Sequence, residues 1–132
     1  LLILYLLGDA GMTELEISRA LALAIGYLPE HVREYGVGSV NFEHGEGIIQ
    51  VFRYDGVYGP ERTDCAHLWN DFRYTSWAVI SPIAERFDCF PSIGYPNSDT
   101  PWESLSVHNY ELVRADTPQK AIALAVINGS KK

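Results

Sequence analysis

The sequence predicts a single α+β domain, a small and mostly antiparallel sheet of three to five strands packed with about three helices, in the manner of an α-β-α sandwich. Three observations carry this expectation. Helix start and stop signals bracket residues 13–26, 76–87 and 117–127. The stretches between them are rich in β-branched and aromatic residues and punctuated by glycine and proline. At 132 residues, with 47% hydrophobic and 20% charged residues, the chain is long enough to bury a core without staples.

Thr13-Glu14-Leu15-Glu16 has the spacing of a capping box, in which the threonine and the second glutamate satisfy each other's backbone amides. Ile17, Leu21, Ala24, Ile25 and Leu28 follow at helical spacing. Pro29 then opens a short helical turn through Glu30 to Glu34, which Gly36 can end. The run Ile48, Ile49, Val51 and Phe52 reads as a strand. Ser76 or Thr75 caps a helix running to Phe87, with a kink at Ser81-Pro82, because proline lacks the amide that the helix interior requires. Residues 89–95 read as a short edge strand beside Pro91, and residues 96–101 as a turn. Leu105 to Arg114 reads as one strand whose apolar phase slips by a residue near His108-Asn109, the signature of a β-bulge. Asp116-Thr117-Pro118 starts the last helix, Ala121 to Ile127 are all apolar, and Asn128-Gly129 suits a left-handed stop. A helix apolar on every side must be enclosed by other elements.

Residues 1–11 stand apart from the domain spanning 12–132. Leu1 to Leu7 are wholly apolar, too few to span a bilayer, and no basic segment precedes them. They read as upstream read-through ahead of Met12, or as a cut-down leader. The two cysteines, Cys65 and Cys89, form no CxxC pair, which points to a cytoplasmic setting without a disulfide framework.

Ten Lys and Arg against 17 Asp and Glu give a net charge of −7, which opposes general nucleic-acid and anionic-membrane binding. Residues 30–71 hold eight of the acids against three arginines. Cys65-x-His67, with Asp64, Asp71, His44 and Cys89 elsewhere, offers zinc-type ligands, but structural zinc sites use two close pairs, so no metal is expected. Ser39, Cys65 and Cys89 are the candidate nucleophiles, and no nucleophile elbow or phosphate loop surrounds any of them. The expectation is a protein without catalytic residues or cofactor.

Three blocks resemble the phage ABA-sandwich family of small phage and prophage proteins. They are the opening helix ending in Ala24-Ile25-Gly26-Tyr27, the segment from Tyr74-Thr75-Ser76-Trp77 to Pro82-Ile83-Ala84-Glu85-Arg86-Phe87, and Ala115-Asp116-Thr117-Pro118 with its alanine-rich helix. The likeness covers about half the chain and departs over residues 36–72. It implies a helix-sheet-helix sandwich in a phage or prophage setting and carries over no functional residue.

The functional expectation is an accessory protein that binds a host or phage protein through an acidic surface. Glu43, Glu46, Glu61 and Asp64 supply the charge, and Tyr58, Tyr95 and Trp102 are the aromatics expected at the surface. The alternative is a binding protein or sponge for an anionic metabolite or nucleotide, with a pocket lined by Tyr54, Trp77 and Tyr110 and an arginine among Arg53, Arg73 and Arg114.

Overall fold

The computed structural model describes residues 12–36, 47–52, 69–106 and 110–130. Among them lie helices α1 (Glu14–Ala24), α2 (Trp77–Phe87) and α3 (Pro118–Gly129), a 3-10 turn (Pro29–His31) and six strands. The strands are β1 (Val32–Tyr35), β2 (Ile48–Phe52), β3 (Trp69–Asp71), β4 (Ser92–Ile93), β5 (Trp102–Leu105) and β6 (Leu112–Ala115). The α+β class and the antiparallel pairing are as expected. The strands divide between two three-stranded sheets, ordered β1-β2-β3 and β4-β5-β6.

Local chemistry accounts for the helix ends. Thr13 and Glu16 form the reciprocal capping box on α1. Thr117 Oγ1 accepts from the Lys120 amide at 3.2 Å, and Pro118 occupies the first turn of α3. Helix α2 continues through Pro82 as one element. Ala78, whose carbonyl loses its donor, is exposed, as is Pro82, so water can serve that carbonyl. Asp88 closes α2 in the left-handed region at φ 52°, while the Cys89 amide reaches back to the Ala84 carbonyl.

Three local readings require correction. Val32 to Tyr35 is a strand, not the rest of a helical turn, because its pairing with β2 satisfies the backbone that a short helix would leave open. Leu105 to Arg114 is not one bulged strand. The Ser106 amide donates to the Glu111 carbonyl and the Tyr110 amide to the Ser106 carbonyl, so the chain reverses, with Tyr110 left-handed at φ 57°. The slip in apolar phase marks the turn of a hairpin. Finally, α3 runs on through Asn128 and Gly129 and ends at Ser130 in right-handed geometry. Asn128 Nδ2 bonds Glu111 Oε2 at 3.0 Å, holding that last turn against the strand side.

Helix α3 is the enclosed element. Ala121, Ile122, Ala123, Ala125, Val126 and Ile127 are buried. The helix packs on β5 and β6, on α1 and on α2, whereas α1 packs on β1 and β2. One core therefore joins the sheets, with Ile49 and Val51 from the first, Val113 from the second, and Ile17, Leu21, Ile80 and Ile122 from the helices. Leu28, expected on the buried face of α1, lies beyond the helix end and is exposed. Buried polar atoms lock the joints: Ser18 Oγ accepts from the Tyr74 amide at 3.1 Å, and Ser104 Oγ donates to the Cys89 carbonyl at 2.6 Å.

Candidate functional site

Alternation along the strands gives each sheet a core face and an outward face, and in the first sheet the centre of the outward face is itself buried at Ile48 and Gln50. In the first sheet Ile49 and Val51 point to the core, so Arg33, Gln50 and Asp71, which are paired across the three strands, share the outward face. Arg33 donates to Gln50 Oε1 from both Nε (3.0 Å) and Nη2 (2.8 Å). Gln50 Nε2 in turn donates to Asp71 Oδ1 at 2.9 Å. Gln50 is buried, so this rung cannot exchange its bonds freely with water.

Rings continue the rung into a row. The Arg33 guanidinium lies 4.2 Å from the centre of the Trp69 ring and 5.3 Å from that of Tyr35. Phe52 meets Trp69 edge-on at 5.4 Å, and His31 lies 5.4 Å from Phe52. Tyr35, Arg33, Trp69, Phe52 and His31 thus form a continuous cation and aromatic ladder on the sheet that anchors the acidic region. Periodicity alone could not reveal it, because it joins three segments that are neighbours only once β1, β2 and β3 pair. The alternation of Arg33 with Val32 and of Gln50 with Ile49 and Val51 was the available signal.

The second sheet has a comparable outward rung, Ser92, Glu103 and Arg114, that does not close. The Glu103 carboxylate lies over Gly94, where an added Cβ would clash with its oxygens. Arg114 stacks on Tyr95 at 4.0 Å and donates from Nη2 to Ser98 Oγ (3.1 Å) and to the Thr100 carbonyl (3.4 Å). Its Nε is buried without an acceptor. Arg114 therefore clamps the 95–100 turn instead of pairing with the acid opposite it.

Of the surface residues expected from sequence, Tyr95 is 53% exposed and available for contact. Trp102 is half-buried, in the row that contains the fully buried Ala115, and so lies on the opposite face of the sheet from the Arg114 clamp. Glu43, Glu46, Tyr58, Glu61 and Asp64 lie outside the described residues, as do Tyr54, Arg53, Cys65 and His67. Within the acidic region, Glu34 accepts from Arg19 at 2.6 Å and Asp71 belongs to the Gln50 rung, while Glu30 is exposed. Trp77 and Tyr110, expected to line a ligand pocket, are 50% and 76% exposed. Arg73 is paired with Glu14 at 2.7 Å, and that hydrogen bond raises its pKa.

Among the described residues no three His, Cys, Asp or Glu side chains come together to hold a metal ion, and no helix is long and apolar enough to cross a membrane. Burial pushes the Cys89 thiol up to about 11, so it is protonated at neutral pH and a poor nucleophile. No family model matches the chain, and no curated protein or solved structure matches it.

Proposed function

We propose that this protein is a non-catalytic accessory protein that captures another protein through the outward side of its first sheet. The observation that supports this reading is the ladder from Tyr35 through Arg33, Trp69 and Phe52 to His31. Tryptophan, tyrosine and arginine held rigidly on a sheet are the residue types that dominate binding energy at interfaces. The two segments that enter and leave β2, residues 37–46 and 53–68, carry Glu43, Glu46, Glu61 and Asp64. Acids in the segments that adjoin β2 in sequence favour a basic partner, which they would steer electrostatically. The resemblance of three blocks of the chain to phage ABA-sandwich proteins supports a phage or prophage setting, with a host or phage protein in the cytoplasm as the partner.

Trp69→Ala and the fourfold charge reversal of Glu43, Glu46, Glu61 and Asp64 test the two halves of this surface separately. Both variants are expected to lose a partner captured by the wild type from host lysate, with the Trp69 variant weakened at least about tenfold in Kd. Undiminished capture by both would defeat the reading. A rise in Tm with a nucleotide or anionic metabolite, in the absence of a protein partner, would favour the ligand-binding alternative.

A further inference from the structure

We infer that the outward face of the second sheet is a self-association surface, the occupant being a second copy of this chain. Leu105 and Leu112 sit directly opposite each other on that face, and they are 45% and 44% exposed because no described helix covers it. The adjacent rung places Glu103 opposite Arg114, yet the two make no ion pair with each other. The Glu103 carboxylate has no hydrogen-bond partner among the described residues.

A patch holding one acid, one base and two leucines in this order is its own complement. A two-fold axis running along the hairpin between β5 and β6 sets β5 of one copy over β6 of the other. Glu103 of each copy then faces Arg114 of its partner, and Leu105 faces Leu112. Sheets packed face to face lie about 10 Å apart, a gap that glutamate and arginine side chains span together. The stacking of Arg114 on Tyr95 and its bonds to Ser98 and Thr100 hold the guanidinium in place before association, which reduces the entropy lost on docking. This surface is separate from the ladder on the first sheet, so dimerisation and partner capture can be tested independently.

Analytical ultracentrifugation of the wild-type chain from low micromolar to near-millimolar concentration is expected to show a monomer-dimer equilibrium. A monomer throughout overturns the inference. Leu112→Asp is expected to abolish the dimer, and a dimer that survives it unchanged overturns the assignment to this face. Glu103→Arg and Arg114→Glu are each expected to weaken self-association at least about tenfold, because like charges then face each other. Mixing these two variants is expected to restore association as a heterodimer, each copy supplying the sign the other lacks. If both variants keep the wild-type circular dichroism spectrum and the mixture stays monomeric, the Glu103 to Arg114 pairing is overturned.

Discussion

The two sheets have the same three-stranded antiparallel form and each turns a three-residue polar rung outward, but one rung closes on itself and the other does not. In the first, the central residue is Gln50, an amide that accepts from Arg33 and donates to Asp71. In the second, the central residue is Glu103, which can only accept when ionised, and Arg114 is turned away to the 95–100 turn. An amide in the middle of a rung joins a cation to an anion across the sheet, whereas a carboxylate there leaves the two charges unpaired with each other. The first arrangement stabilises a sheet, and the second suits a contact.

The comparison would break most visibly if the sheets were separate units. Ile49 and Ile122 are fully buried in one core, on the first sheet and on the helix that carries the second. Ile49→Ala and Ile122→Ala are each expected to cost about 2–5 kcal/mol. In both variants, fluorescence changes from Trp69 and Trp102 should follow the same denaturant transition. Two transitions in either variant would show that the sheets unfold independently.

A smaller effect sharpens the contrast between the rungs. Gln50→Ala leaves Arg33 and Asp71 without their shared partner and is expected to cost about 1–3 kcal/mol. Glu103→Ala removes a carboxylate with no partner among the described residues and is expected to stay within about 0.5 kcal/mol. Urea denaturation in dilute solution, where association is absent, measures both. Equal losses would remove the distinction drawn between the sheets.

A further effect is confined to alkaline pH and belongs to the segment before the second sheet, where the Cys89 carbonyl accepts the Ser104 hydroxyl. The folded thiol holds its proton up to about 11, against an ordinary value of 9.0. The folded state therefore binds more protons than the unfolded state in that window, and stability falls as pH rises through it. The limiting slope is about 1.4 kcal/mol per pH unit. Cys89→Ala should flatten the denaturant midpoint between pH 9.0 and about 11, and an unchanged slope would place the alkaline loss elsewhere.

Legibility from sequence followed the range of the interactions. The capping box at Thr13 and Glu16, the Thr117-Pro118 helix start, the β2 run and the enclosed alanine-rich helix depend on neighbours within a few positions, and each could be read directly. The end of α3 could not, because Asn128 continues the helix with its side chain bonded to Glu111, 17 positions away. The 105–114 stretch reads as one strand for a related reason: a bulge and a tight reversal shift the apolar phase alike, and only the bonds between Ser106, Tyr110 and Glu111 distinguish them. Missing the hairpin also hid the Leu105 and Leu112 pair, and with it the candidate self-association face.

The chain alone determined its class, its three helices and the apolar segment at its centre, because periodicity and capping act over one or two turns. Tertiary structure decided that the strands form two sheets, that Arg33 meets Gln50 and Trp69, and that Glu103 and Arg114 stand opposite without pairing. Those relations arise from strand register, which brings together residues far apart in sequence and selects which side of each strand faces out.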